Sequence, residues 1–170
     1  MNAITTLDNP VRLKLIPTAV DEVNVRIVAG LVLLLTSAAL VSGQYWLYAP
    51  LAVDFASRAL GGPRVSVLAH LAARRIRPLI PASPRPVAYA PKRFAAAIGA
   101  VMTTAATALA AISRFTPVDL TLGVQLIGVL MVVFPFLEAA FAFCVGCKLY
   151  ALLARTGVVS PDVCIDCTLG

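Results

Sequence analysis

Long apolar runs separated by short polar stretches dominate this chain. The hydrocarbon core of a bilayer is about 30 Å thick, so a helix needs about 20 apolar residues to cross it. The pattern predicts an all-α integral membrane protein with four transmembrane helices, at residues 25–43, 47–60, 94–112 and 120–145. The second of these spans is short. The fourth apolar run is too long for one crossing, so we expect its helix to leave the membrane and continue to Arg155.

The segment between the second and third spans, residues 61–93, has a different character. It contains seven Lys or Arg residues, six prolines and no acidic residue. Proline removes a helical hydrogen bond and clashes with the preceding turn, so these prolines exclude one long helix. Residues 65–77 can form a short helix with an apolar face and an arginine-bearing face. A basic amphipathic helix of this kind lies in the headgroup layer of a membrane.

The composition excludes the water-soluble classes. Apolar residues make up 60% of the chain and charged residues only 13%. A soluble chain of this length could not bury so much apolar surface, because small domains keep a large share of their surface in water. A soluble enzyme and a nucleic-acid-binding module are therefore excluded. We expect the lipid bilayer, and no nucleic acid, as the partner, despite the net charge of +6.

The basic residues predict the orientation of the chain. Four crossings place every Lys and Arg except Arg114 on the side that carries both termini. Because basic residues are retained in cytoplasmic loops, both termini and the proline-rich loop are predicted to be cytoplasmic. Residues 1–24 then form a cytoplasmic N-terminal segment without a cleaved signal peptide, and 25–155 form the membrane domain. Residues 156–170 form a cytoplasmic tail that carries cysteines.

Four cysteines form two matched Cys-x-x-Cys pairs, Cys144 with Cys147 and Cys164 with Cys167. This spacing is typical of a tetrathiolate zinc site and also of two dithiol redox sites. The cytoplasm is reducing and disfavours permanent structural disulfides. Lys148 lies next to Cys147, and a neighbouring ammonium favours the reactive thiolate.

We therefore predict a membrane thiol protein that relays electrons or sulfane sulfur through the paired cysteines at the cytoplasmic face. The alternatives are a protein that binds or transports a soft metal or a sulfur compound, and a zinc-stapled structural subunit of a larger membrane complex. In those alternatives the four sulfurs hold zinc or another soft metal. Any one cysteine could simply be a small apolar side chain in the core. Two matched pairs instead favour thiol or metal chemistry.

Two carboxylates lie inside the apolar runs, Asp54 and Glu138. Ionisable groups within a membrane are costly and often functional, which suggests a proton or charge relay. The alternative is a buried ion pair with Arg58 or Arg26, or hydrogen bonds to Thr and Tyr. On a continuous helix Glu138 is about 120° from Cys144, so we expect no direct action of Glu138 on the thiols.

The octapeptide Phe143-Cys144-Val145-Gly146-Cys147-Lys148-Leu149-Tyr150, at the end of the final apolar run, resembles the signature of the Domain of Unknown Function 4395 family. The stretch Asp54-Phe55-Ala56-Ser57-Arg58-Ala59-Leu60 with the following Gly-Pro-Arg resembles the second helix and loop of that family. The resemblance covers about residues 20–155. It implies a small four-helix protein of the bacterial plasma (inner) membrane with a Cys-x-x-Cys near its end, without an established activity. It also implies thioredoxin-like or rhodanese-like cytoplasmic partners.

Overall fold

The computed structural model describes residues 17–157, and this part of the chain is almost entirely helical. Its helices are α1 (Glu22–Ser42), α2 (Tyr48–Gly61), α3 (Val67–Leu71), α4 (Tyr89–Phe115), α5 (Thr121–Phe141) and α6 (Val145–Arg155). Two short strands, β1 (Ala19–Asp21) and β2 (Pro86–Ala88), pair antiparallel in front of α1 and α4. The prediction of an all-helical chain is confirmed for these residues.

Three of the described helices are long and apolar enough to cross a membrane. They are α1 with 21 residues, α4 with 27 and α5 with 21, and their mean hydropathies are 2.1, 1.8 and 2.1. They contain most of the predicted spans 25–43, 94–112 and 120–145. The predicted span 47–60 corresponds to α2, which has only 14 residues. At 1.5 Å per residue α2 is about 21 Å long, less than the hydrocarbon thickness.

The helices pack as two antiparallel pairs that share a common core. Helix α1 packs along α5 and α2 packs along α4, while α4 also contacts α5 and α6. The core contains Val32, Tyr48, Leu51 and Val124, each at most 1% exposed. Small residues on α4 permit these contacts: a Cβ at Gly99 would lie 2.5 Å from the ring of Phe55. Small residues serve this purpose in membrane helices, where close packing replaces the hydrophobic drive.

One end of the bundle carries most of its polar contacts, and we call it the polar end. There the start of α4 meets the end of α2, because Tyr89 Oη donates to the carbonyl of Arg58 at 2.6 Å and Arg93 Nε donates to that of Ala59 at 2.6 Å. The start of α1 meets the end of α5, because Arg26 donates to the carbonyls of Ala139 and Ala140 at 3.0 Å each. The polar end is thus made by the start of α1, the end of α2, the start of α4 and the end of α5.

The proline-rich segment 61–93 folds over the polar end. Helix α3 is followed by a π-helical turn over Ala72–Ile76 and a 3-10 turn over Arg77–Leu79, so the predicted helix at 65–77 is present as three short pieces. The apolar face packs on α1 through Ala69 and Ala72, which cover Val28. Arg77 Nε donates to Asp21 at 2.7 Å and anchors the segment to the N-cap of α1.

The hydrophobic pattern predicts that the helix of the fourth span continues to Arg155, but α5, which forms this span, ends earlier. Helix α5 ends at Phe141, where Ala142 adopts a left-handed conformation with φ 55°, and α6 begins only at Val145. The contacts of Arg26 with the last carbonyls of α5 satisfy groups that a continuing helix would use internally. Sequence hydropathy cannot register this break, because Phe143 and its neighbours are as apolar as the helix itself. Helix α6 ends before Gly157, which adopts φ 76° as expected for a terminal glycine.

Candidate functional site

Cys144 and Cys147 lie at the start of α6, immediately after the non-helical residues that separate α5 from α6. Cys144 is the N-cap of α6 and its Sγ accepts the backbone N–H of Cys147 at 3.2 Å. The two sulfurs are joined as a disulfide, and their Cα atoms are 5.1 Å apart. Cys144 lies at the start of α6 and not inside a continuous helix, because α5 stops three residues earlier.

This position gives Cys144 an electrostatic setting that favours the thiolate. The free backbone N–H groups at a helix N-terminus carry partial positive charge, which stabilises a thiolate on the capping residue. Lys148, predicted to activate the thiols, is exposed, and its Nζ lies 6.0 Å from the centre of the Phe143 ring. Activation by Lys148 therefore stays a prediction.

The two cysteines differ in their surroundings. Cys144 is buried with 9% exposure and lines a partly open cavity, whereas Cys147 is half-buried and is not part of the cavity wall. Gly146 brings this turn against α4: a Cβ on Gly146 would lie 2.6 Å from the Cβ of Ala95 and 2.8 Å from its Cα. The disulfide thus sits between the cavity on one side and the protein surface on the other.

The cavity has a volume of about 310 Å³ and lies among α1, α2, α4, α5 and α6 towards the polar end. Most of its wall is apolar, and the polar side chains that reach it are Asn24, Arg58, Tyr89, Lys92 and Glu138. The sequence pattern predicts a role for Glu138 and an ion pair of Arg58 with a carboxylate, but it gives no signal for Asn24, Tyr89 and Lys92. These three residues lie at the starts of α1 and α4. In the sequence they are indistinguishable from the polar residues that commonly flank a membrane span.

Glu138 pairs with Lys92, whose Nζ donates to Oε1 at 2.6 Å. The alternative of a buried ion pair with Arg58 or Arg26 covered both carboxylates. At Glu138 the ion pair is present with a different partner, because Arg58 pairs with Asp54 and Arg26 donates to backbone carbonyls. Lys92 was missed because it lies beyond Pro91, in what the sequence predicts as loop. The angle between Glu138 and Cys144 assumed a continuous helix, and the break at Ala142 removes that assumption. Both residues line the same cavity.

Asp54 is held by a set of structural contacts. Its Oδ2 lies 3.0 Å from Arg58 Nε, and its Oδ1 accepts from Ser66 Oγ at 2.8 Å and from the backbone N–H of Leu68 at 3.0 Å. The alternative that the sequence allowed, an ion pair with Arg58, is therefore present. Asp54 joins α2 to the start of α3, and its predicted part in a proton relay stays a prediction.

The second cysteine pair, Cys164 and Cys167, lies outside the described residues. Between residues 17 and 157 no group of three or more His, Cys, Asp and Glu side chains could hold a metal ion. A four-sulfur zinc or soft-metal site would need the tail pair as well as Cys144 and Cys147. The metal alternative thus stays a prediction.

The model of the family described as Domain of unknown function (DUF4395) matches residues 20–155, and the chain belongs to this family. No curated protein and no solved structure matches the chain. The family assignment agrees with the resemblance inferred from residues Phe143–Tyr150 and Asp54–Leu60.

Proposed function

We propose that this member of the DUF4395 family is a membrane dithiol–disulfide protein that relays electrons or sulfane sulfur through Cys144 and Cys147. The observation that carries the proposal is a Cys-x-x-Cys pair at a helix N-terminus, in which Cys144 lines a partly open cavity and Cys147 lies half-buried outside it. A structural disulfide needs neither a cavity beside it nor a partly exposed sulfur.

The different burial of the two sulfurs supports a division of labour. Cys147 is half-buried, so a thiol of another protein reaches it before it reaches Cys144. Attack of a partner thiolate on Cys147 forms a mixed disulfide and releases Cys144 as the thiolate, which the N–H of Cys147 and the helix start stabilise. The second thiol of the partner then attacks the mixed disulfide and releases Cys147. The partner becomes a disulfide and the pair becomes a dithiol, so two electrons are transferred.

The helix arrangement supports a membrane location for this exchange. Helix α2 runs antiparallel to α4 and brings the chain back to the polar end, where α1 begins. In our proposal α2 also crosses the membrane, as the second of four crossings in chain order. It is shorter than the others, and its packing against α4 supports it. The charge distribution of the sequence then places the polar end, both termini and segment 61–93 at the cytoplasmic face of a bacterial inner membrane.

Cytoplasmic thioredoxin-like or rhodanese-like proteins suit this location as partners, because each presents a reactive thiol or persulfide to an exposed sulfur. The tail cysteines Cys164 and Cys167 would exchange with the first pair, since they follow α6 closely in the sequence. If the relayed group is sulfane sulfur, a donor persulfide transfers its outer sulfur to the Cys147 thiolate. Cys147 then carries the persulfide, and the donor leaves as a thiol.

Trapping of a mixed disulfide tests the proposal. In a background with both tail cysteines replaced by serine, Cys144→Ser leaves the half-buried Cys147 and Cys147→Ser leaves the buried Cys144. After incubation with oxidised glutathione, we expect one glutathione adduct on Cys147, measured by intact mass, and an adduct on Cys144 that forms at least about tenfold more slowly. Absence of an adduct on both variants would overturn the proposal.

A persulfide donor in the same assay separates the two cargoes. A mass increase of one sulfur on Cys147 supports sulfur relay, and an adduct with glutathione alone supports electron relay. The matched control is the variant without any of the four cysteines, which accepts neither group.

A further inference from the structure

We propose that the cavity beside Cys144 binds the ring of a neutral, lipid-soluble two-electron carrier of the quinone type, which exchanges electrons with the Cys144–Cys147 pair. This inference rests on the proposed dithiol–disulfide function and names the partner on its membrane side. Four properties of the cavity carry it: its wall and size, its charge, the polar side chain of Asn24 and the sulfur of Cys144.

The wall and size of the cavity suit a ring and exclude a whole lipid. Apolar side chains from α1, α2, α5 and α6 form most of the wall, among them Val28, Val32, Phe55, Met131, Phe134 and Leu149. The volume of about 310 Å³ is at the lower end of the range of small-molecule sites, about 300–1,000 Å³. One substituted ring fills it. A long isoprenoid tail would lie outside, among the lipid chains.

The charges of the cavity favour a neutral ligand over an anion. Two cationic side chains reach the cavity, Lys92 and Arg58, and each is already paired with a carboxylate. Lys92 Nζ lies 2.6 Å from Glu138 and Arg58 Nε lies 3.0 Å from Asp54. An anion such as sulfite or thiosulfate would enter a pocket without net positive charge, at a high desolvation cost. A neutral carrier meets no such cost.

One polar side chain of the cavity wall suits the ring oxygens. Asn24 lies in the wall, and its carboxamide carries an NH₂ donor. This NH₂ group donates to a carbonyl of the quinone or to a hydroxyl oxygen of the reduced carrier. A hydrocarbon chain offers no acceptor for it.

The sulfur of Cys144 in the cavity wall completes the site. In the step, the Cys144 and Cys147 thiols together lose two protons and two electrons and form the S–S bond. The quinone takes the two electrons and two protons, and its two carbonyls become hydroxyls. The quinol leaves into the bilayer, and a partner dithiol reduces the disulfide again from the protein surface. Over one cycle, a partner dithiol and a quinone become a partner disulfide and a quinol.

The experiment uses the full chain with both tail cysteines replaced by serine, reduced and held in lipid nanodiscs without oxygen. The probe is decylubiquinone, whose fully substituted ring cannot arylate the thiols. We expect saturable binding, reduction of one quinone per protein, and parallel loss of alkylatable Cys144 and Cys147. Binding without thiol oxidation, or oxidation without saturation, would overturn the inference.

Three variants on α1 localise the site. Ala29→Leu fills the cavity and should weaken quinone binding more than tenfold. Asn24→Leu removes one polar partner and should weaken binding about fivefold. Ala38→Leu adds the same side chain at an exposed position outside the cavity wall and should leave binding unchanged. Equal affinity in all three variants would overturn the assignment of the site.

A glutathione arm separates this inference from the proposed function. If glutathione oxidises and reduces the pair while decylubiquinone neither binds nor oxidises it, the quinone site is wrong and the dithiol function stands. If neither reagent changes the thiols, both are wrong. If native mass spectrometry finds a phospholipid that decylubiquinone does not displace, the cavity is a lipid site and the inference fails.

Discussion

Gly146, inside the Cys-x-x-Cys turn, is where a single methyl group should disturb the site most. A Cβ there would lie 2.8 Å from the backbone Cα of Ala95, and backbone cannot yield as a side-chain end can. We expect Gly146→Ala to lower the free energy of unfolding by about 1–3 kcal/mol, the usual cost of overpacking. Denaturant unfolding in detergent micelles, followed by circular dichroism, measures this.

Gly30→Ala on α1 is the matched control for Gly146→Ala. A Cβ at Gly30 meets nothing within 4 Å, and alanine favours the helix by up to about 1 kcal/mol. Its free energy of unfolding should stay equal or rise. A Gly146→Ala protein as stable as the control would show that α6 does not dock on α4 as described.

The ion pair between Lys92 and Glu138 is the second residue-scale test. Their side chains are 15% and 11% exposed, so removal of one partner leaves a charge that is largely buried. Glu138→Gln should cost about 3–5 kcal/mol of unfolding free energy, and Lys92→Met a similar amount. The double variant should be more stable than the sum of the two losses predicts. Strictly additive losses in this double-mutant cycle would contradict the pairing.

At the scale of elements, Asp21 joins the proline-rich segment to the start of α1. Burial alone would raise the pKa of the Asp21 carboxyl. The hydrogen bonds from Arg77 and from the N–H groups of Arg85 and Val23, with the charge of Arg77, outweigh burial and lower this pKa below its ordinary 3.8. A group with a lowered folded-state pKa stabilises the fold above its unfolded pKa, and this stabilisation is lost as pH falls through the folded value.

We therefore expect segment 77–88 to detach in acid, below about pH 3.8. Limited acid proteolysis by pepsin measures this, because cleavage in the segment should rise as pH falls in the wild-type protein. Asp21→Asn lacks the titrating group, so its cleavage should already be faster and should vary little through that range beyond the activity of pepsin itself. A cleavage profile identical to the wild type would show that Asp21 does not anchor the segment.

The sequence predicts the long helices well and the irregular elements poorly, for a physical reason. Helices α1, α4 and α5 follow from hydropathy, which is a sum over many residues and tolerates local exceptions. At the break after Phe141, the carbonyls of Ala139 and Ala140 are satisfied by Arg26, more than a hundred residues away in sequence. Such a long-range contact leaves no local pattern.

In the candidate site, too, local features were predicted from the sequence and long-range contacts were not. Cys144 and Cys147 were predicted from their spacing alone, because the chemistry of the pair is local. The partner of Glu138 and the cavity wall were not predicted, because Lys92 and Asn24 come together with Glu138 only when α1, α4 and α5 pack. Spacing therefore identifies the candidate cysteine pair, and packing determines what surrounds it.

At the scale of the whole molecule, the proposed four crossings place the two ends of the bundle on opposite sides of the membrane. In a background without the four native cysteines, Thr116→Cys reports the loop between α4 and α5, and Ser83→Cys reports the proline-rich segment. Both positions are exposed. An impermeant maleimide added to intact cells should label Thr116→Cys at once and Ser83→Cys only after permeabilisation.

Labelling of both positions from outside, or of Ser83→Cys alone, would contradict this orientation. The first result would place segment 61–93 and the α4–α5 loop on one side, so α4 would not cross. The second would invert the protein and place Cys147 in the extracytoplasmic compartment. The partners would then belong to that compartment.

The reversible oxidation of Cys144 and Cys147 is the claim on which the whole account depends, and a redox titration tests it most directly. The protein with both tail cysteines replaced by serine is equilibrated in nanodiscs with thiol buffers of graded potential, alkylated and weighed by mass spectrometry. We predict one transition in which both thiols appear together, with a two-electron slope of about 30 mV per tenfold change in ratio. Two thiols that stay alkylatable at every potential, or two that titrate independently, would contradict the account.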